Sequence, residues 1–342
     1  MQSYTIPRLR TGVPWQINPH HTPGLDAEAN AWAFGLFSDD KRVPVPVRAD
    51  NYTTWAALCF PDVGTELLTL WCRFNALYTV AENRQEVLFS TADAGGAEAV
   101  WGRMAQCLLR LSHAPDPEEV PPDGWGDGLP RFYLHAARNI ALTMAPAQGR
   151  YFLRRTAQMA MAQFQEKDAI ASPRMGLEEY VEYRQTNFGV PLFVAAVPSM
   201  LSAPLATEWW DSTERRELDR LTARHCCLVN DLYSFRKEHE HRDGKPAPVQ
   251  AVTVLKSLHD LSLQGAVDRL VEVIEETEAE FREARKRAAV RPERAEYADR
   301  LGHILAGNLR YHLISPRFHG QSFEGVFSGG EVTLSGRPVW RT

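Results

Sequence analysis

Five cysteines in 342 residues, Cys59, Cys72, Cys107, Cys226 and Cys227, are too few and too scattered for a disulfide framework. Their number is odd, and no Cys-x-x-Cys pair or Cys/His spacing suited to zinc occurs, so they read as buried thiols in a reducing cytoplasm. An excess of positive charge is also missing. With 38 Lys+Arg against 43 Asp+Glu the net charge is −5 and the pI near 6.1, which argues against a nucleic-acid partner. No apolar run is long enough to span a bilayer. The most apolar window, FGVPLFVAAVPSMLSAP (188–204), holds three prolines and predicts a broken core helix, with no stable membrane insertion. The opening MQSYTIPRLR has no apolar stretch of the kind a secretory leader needs, so a cytoplasmic location is expected. Strand-like alternation is scarce and confined to the tail, VFSGGEVTLSGRPVW.

What remains is helix. Hydrophobic residues make up 44% of the chain, enough for a sizeable core. Helical periodicity covers residues 25–37, 63–93, 96–113, 131–145, 149–168, 176–187, 206–239, 249–260, 264–289 and 293–315, with 206–239 the longest unbroken stretch. The acidic, Pro/Gly-rich 113–130 and the segment 239–248 read as loops. No repeat or low-complexity linker divides the chain, so residues 1–342 are expected to form a single all-α domain.

The segment NDLYSFRKE (230–238) closes the longest helical stretch. Asn230, Ser234 and Glu238 stand at i, i+4 and i+8, one face of a helix at 3.6 residues per turn. An amide, a hydroxyl and a carboxylate form an oxygen donor set suited to Mg²⁺. The same spacing also describes a solvated helix face. The apolar RHCCLV just before it favours a helix that leads out of a core. Asp231 could orient ligands from behind, and Lys237 could hold an anion. His239 and His241 alternate, cannot share one helix face, and read as surface residues.

Residues 230–238 resemble, at every defined position, the N-D-(L/I/V)-x-S-x-x-(K/R)-E signature of class I terpene synthases of the bacterial type. The resemblance implies a helical bundle around a central active-site cavity, with Asn230, Ser234 and Glu238 chelating Mg²⁺ and Lys237 contacting a diphosphate. Arg184 lies 46 residues before Asn230, where the family carries a diphosphate-sensing arginine on a helix that breaks just afterwards. Gly189 and Pro191 predict such a break, and Asn187, Phe188 and Gly189 would then fall in the effector region. GNLRYHLISPRFHG (307–320) resembles the terminal block, with Arg317 as a diphosphate-binding arginine, Phe318 in place of the usual tyrosine and Tyr311 where tryptophan is common.

The family's aspartate-rich first metal motif is absent. Counting from FPDVG (60–64) places it at ENRQE (82–86), where Glu82 and Glu86 could hold metal and Asn83 replaces an aspartate. IPRLRTGVPWQINPHH resembles the family's opening segment, so residues 1–24 would cap the active-site mouth; the tail from about 320 to 342 is not explained.

The resemblance thus implies a terpene cyclase. Three Mg²⁺ ions with Arg184, Lys237 and Arg317 would ionise farnesyl or geranylgeranyl diphosphate and release pyrophosphate, leaving a carbocation that cyclises to a sesquiterpene or diterpene. Tyr78, Phe188, Trp55 and Tyr311 are candidates to line the cavity and face the cation, although each also reads as plain core. A helix-packed homodimer is common in the family. A prenyltransferase and a non-catalytic isoprenoid-diphosphate-binding homologue are the alternatives. The Asn/Ser/Glu pattern argues against the first, and the altered first motif is the only support for the second.

Overall fold

The computed structural model describes residues 2–35, 52–90, 94–113, 129–169, 175–240, 249–320 and 322–334; the side chains of 34–35, 80–101, 129–132, 163–169, 187 and 240 are not described. Strand β1 (Gln2–Ile6) opens the chain, followed by α1 (Pro23–Gly35), α2 (Tyr52–Cys59), α3 (Thr65–Ser90), α4 (Ala94–His113), α5 (Leu129–Leu142) and α6 (Pro146–Ala169). Then come α7 (Leu177–Asn187), α8 (Val190–Ala196) with a 3₁₀ turn at Val197–Met200, α9 (Thr207–Trp210) and α10 (Thr213–Glu240). Helices α11 (Ala251–Leu258), α12 (Leu263–Ala288), α13 (Pro292–Ile314) and α14 (Pro316–His319) lead to β2 (Gly330–Leu334). The fold is all-α, as the periodicity predicts.

Helix α10 is central, packing on α7, α8, α11, α12 and α13. Its apolar run explains this position: Cys226, Cys227, Leu228, Val229 and Leu232 are fully buried. On the other side an aromatic cluster fills the bundle. The Phe193 ring of α8 lies 4.4 Å from Trp55, 5.2 Å from Trp71 and 6.0 Å from Phe60 between centroids. All five cysteines are free and buried.

The long periodic stretch at 206–239 is two helices. Ser212 Oγ accepts the backbone N–H of Arg215 at 3.2 Å, so the chain stops after α9 and α10 starts afresh. A serine that caps competes with helix continuation, and hydrophobic periodicity does not register it. Helix α2 has no predicted counterpart. Thr53 and every residue from Trp55 to Cys59 are buried, so α2 has no polar face to make a pattern.

Strand character is not confined to the tail. β1 pairs antiparallel with β2, Gln2 opposite Leu334 and Ile6 opposite Gly330, and the ribbon packs on α10 and α12. Gln264 of α12 secures it by exchanging hydrogen bonds with the backbone of Thr5 at 2.7 and 3.0 Å. Part of the tail thus has a structural role.

The Gly-Asn-Leu of the terminal block has a packing origin. A Cβ at Gly307 would lie 2.5 Å from the Leu58 carbonyl carbon and 2.7 Å from the Cys59 nitrogen, so only glycine lets α13 approach the backbone of α2 this closely. Asn308 then bridges, accepting from Trp55 Nε1 at 3.1 Å and donating to the Cys226 carbonyl at 3.3 Å.

Candidate active site

The stripe on α10 faces protein. Ser234 is 4% exposed, and Asn230, Lys237 and Glu238 are partly buried. Each oxygen donor has a neighbour from another helix.

Asn230 is held at both ends of its amide. Arg184 of α7 donates from Nη2 to Oδ1 at 3.2 Å, and Nδ2 donates to His312 Nε2 of α13 at 3.1 Å. The imidazole is set by its other nitrogen: Nδ1–H donates to the Asn308 carbonyl at 2.7 Å, leaving Nε2 as acceptor. Burial lowers the His312 pKa to about 3, so the ring is neutral at physiological pH.

Asp231 is fully buried beside it. Its Oδ2 accepts from the Tyr180 hydroxyl and from the Ala251 backbone N–H at 2.9 Å, while Oδ1 accepts from Arg184 at 3.3 Å. Burial, reinforced by the Asp231 charge, pushes the Tyr180 pKa well up and keeps its hydroxyl protonated. One carboxylate therefore joins α7, α10 and the start of α11. Ser234 Oγ accepts from Gln250 Nε2 at 3.1 Å. Gln250 is itself the N-cap of α11, exchanging hydrogen bonds with Thr253.

Glu238 lies among cations. Lys237 Nζ is 3.2 Å from its Oε1. Burial pushes the Glu238 carboxyl up, but Lys237, Arg317 and Arg184 together outweigh it and hold the pKa below the ordinary glutamate value. Arg317 comes from α14, a single turn started by Pro316 and capped by Ser315, whose Oγ accepts the Arg317 N–H at 3.3 Å. Its guanidinium lies 5.2 Å from the centre of the Tyr52 ring. Arg310, the other arginine of that block, lies over Trp15 at 4.2 Å and belongs to a different environment.

The break between α7 and α8 lies where Gly189 and Pro191 place it. Phe188 is extended (φ −96°, ψ 136°), and its ring lies 5.1 Å from the Arg184 guanidinium. Gly189 faces the Tyr78 ring, where a Cβ would come within 3.2 Å. Trp55 and Tyr311 both sit in core contacts, Trp55 against Phe193 and Tyr311 between Tyr52 (6.3 Å) and Phe318 (5.9 Å). Phe318 stacks on His312 at 4.3 Å and 24°.

The backbone of α3 runs through Glu82, Asn83 and Glu86, but these side chains, like that of Asn187, lie outside the described residues. Among the described residues no group of three His, Cys, Asp or Glu side chains could hold a metal ion. The α10 set has a single acid and two neutral oxygen donors. His312, Gln250 and Tyr180 were not identified from sequence. Each is one polar residue at a buried position, with no spacing to mark it.

A helical bundle with an oxygen-donor stripe facing arginines from two other helices is a class of site with donors suited to a cation and cations suited to an anion. The comparisons make that class specific. The sequence model of terpene synthase family 2, C-terminal metal binding, matches residues 73–280, more than half of the chain, and the protein belongs to this family. It is 22% identical to Microbial Terpene synthase-like protein 1 of Selaginella moellendorffii, over 93% of this chain and 92% of that one. It is 26% identical to the Bifunctional terpene synthase Agr4 of Cyclocybe aegerita, over 98% and 94%. The crystal structure of α-eudesmol synthase superposes with a TM-score of 0.72 at 16% identity, covering 90% of this chain and 98% of that one, a likeness of fold.

Proposed function

We propose that the protein is a Mg²⁺-dependent class I terpene cyclase that ionises farnesyl or geranylgeranyl diphosphate and cyclises the resulting cation to a sesquiterpene or diterpene. The observation that carries this reading is the gathering of Arg184, Lys237 and Arg317, from three helices, around Glu238 at the end of the Asn230–Ser234–Glu238 stripe. Three cations face two carboxylates, Glu238 and Asp231, so the cluster has room for a polyanion.

The donor set fits a hard divalent ion. It offers an amide oxygen, a hydroxyl and a carboxylate and no thiolate, and the His312 imidazole beside it is occupied by the Asn230 amide. Asn230, Ser234 and Glu238 would hold Mg²⁺, with Glu82 and Glu86 as ligands of a second site for a total of three ions. Bound there, Mg²⁺ neutralises charge on the diphosphate oxygens.

The chain's own residues do the rest. Arg184, Lys237 and Arg317 bind the diphosphate and stabilise the charge that develops on it as the C–O bond breaks. The break at Phe188–Gly189 and the rings of Tyr78, Phe188 and Tyr311 provide apolar and aromatic surface against which an allylic cation is protected from water. No nucleophile is needed for ionisation. The cascade ends by loss of a proton, for which released pyrophosphate is a competent base, or by capture of water.

Incubation with Mg²⁺ and the C10, C15, C20 and C25 prenyl diphosphates, followed by analysis of hexane extracts, tests the reading. A cyclic hydrocarbon or alcohol supports it. A longer prenyl diphosphate would make the protein a prenyltransferase, and no product from any substrate would leave only binding.

A further inference from the structure

We infer that His312 is the positioning residue that decides which atom of the Asn230 amide is offered to the metal. The inference rests on the reading of Asn230 as a Mg²⁺ ligand. A side-chain amide can turn either its oxygen or its NH₂ toward an ion, and only the oxygen is a ligand. The two orientations have nearly the same shape, so hydrogen-bond partners must choose between them. Here the choice follows from a chain of obligatory roles. The Asn308 carbonyl can only accept, so the Nδ1 that lies 2.7 Å from it carries the proton. The opposite nitrogen, Nε2, then accepts, and it lies 3.1 Å from the nitrogen of the Asn230 amide. The NH₂ is thereby claimed by α13, and the oxygen is turned to the side of Arg184.

Arg184 also favours this orientation, because it can only donate. In the proposed reaction, however, Arg184 is recruited by the diphosphate, and its hold on Asn230 weakens when orientation matters most. His312 takes no part in substrate binding and keeps its hold throughout. The ring is itself well fixed. Phe318 stacks on one side at 4.3 Å, and Tyr233 of α10 lies 6.0 Å away. This gives Phe318 a use. Where the resembling family has a hydroxyl-bearing ring, this chain has an apolar face for the imidazole.

Three proteins test the inference: wild type, His312→Gln and His312→Asn. Glutamine can place a carbonyl oxygen where Nε2 stands, so it keeps the acceptor for Asn230. Asparagine reaches only the Nδ1 position, so it can still meet the Asn308 carbonyl but leaves Asn230 free to flip. The probe is Mn²⁺ titrated in saturating inorganic pyrophosphate and read by electron paramagnetic resonance, with melting temperature followed in parallel. Loss of a group that orients a ligand typically costs ten- to a hundredfold in metal affinity. We expect His312→Asn to bind Mn²⁺ at least about tenfold more weakly, and His312→Gln to stay within about threefold of wild type.

Unchanged binding by His312→Asn would overturn the inference. So would equal losses in both variants that track their melting temperatures, since that marks a packing role. Failure of the wild type to bind Mn²⁺ would instead remove the metal site itself, and with it the proposed function. A ¹⁵N-histidine spectrum of the wild type needs no variant. A neutral ring protonated at Nδ1 and broadened by bound Mn²⁺ is expected, and finding every broadened ring protonated at Nε2 would overturn the assignment.

Discussion

Replacing Asp231 should cost more stability than any other single polar change at the site, and the two obvious replacements should differ. The carboxylate is fully buried and accepts from three groups: the Tyr180 hydroxyl, the Ala251 backbone N–H and the Arg184 guanidinium. Asp231→Ala removes all three acceptors at once. Two neutral buried donors lose their partner at about 1–3 kcal/mol each, and the bond to Arg184, being charge-assisted, is worth about 1.5–3 kcal/mol. Arg184 is part-exposed and recovers some hydration, so the total should fall near 4 kcal/mol, a sizeable part of a typical stability of about 5–15 kcal/mol. Asp231→Asn should cost about half as much. Tyr180 and Ala251 both donate to Oδ2, so the amide oxygen must take that place and the NH₂ must face Arg184. The start of α11 then stays docked while the contact with α7 becomes donor against donor. Urea unfolding followed by circular dichroism at 222 nm, with slopes compared between variants, reads both numbers. A loss under about 1 kcal/mol for Asp231→Ala, or no loss for Asp231→Asn, would show that this carboxylate does not join the three helices as described.

Asn230→Ala should reduce turnover of a prenyl diphosphate by about a hundredfold or more in single-turnover assays while leaving the melting temperature within a few degrees. Glu82→Asp should retain more activity than Glu82→Ala in the same assay; equal activity across wild type and both variants would move the first metal site away from 82–86. Gly307→Ala should destabilise by about 1–3 kcal/mol or more in urea melts, because the new methyl meets the backbone of α2 rather than a side chain that can yield. His225 is buried, has no hydrogen-bond partner on either ring nitrogen among the described residues, faces Glu278 at 3.9 Å, and is lowered by burial to a pKa of about 3. The unfolded chain then binds the extra proton first, so stability falls as pH drops from about 6.5 toward 3, by up to about 1.4 kcal/mol per unit. His225→Leu should flatten that part of the curve, measured as the change in urea midpoint between pH 7 and pH 5.

What was legible in the sequence is what repeats or breaks a repeat. The bundle announces itself through helical periodicity. The α7–α8 break is visible because Gly189 and Pro191 are incompatible with an uninterrupted helix, and the stripe on α10 because its three donors recur every fourth residue. Elements without contrast were not legible. Helix α2 is buried over most of its surface, and α14 is one turn long, too short for periodicity to register. Strand β1 has a partner more than 320 residues away, a pairing that no local pattern encodes. The same applies within the site. Arg184 is marked by the family resemblance at its distance from Asn230, whereas His312 and Gln250 each reach the stripe through one hydrogen bond, and a single buried polar residue has no signature until its neighbours are known.

The ribbon that sets Gln2 opposite Leu334 makes the polypeptide between them a ring in all but its covalent bond. Neither strand can peel away alone, because each strand's ladder is the other's. A version with the two strands linked to each other and the chain reopened at a surface turn, such as the one at Asp260 between α11 and α12, should keep the ladder between them. The order in which the helices are synthesised would change, and the architecture they reach would not.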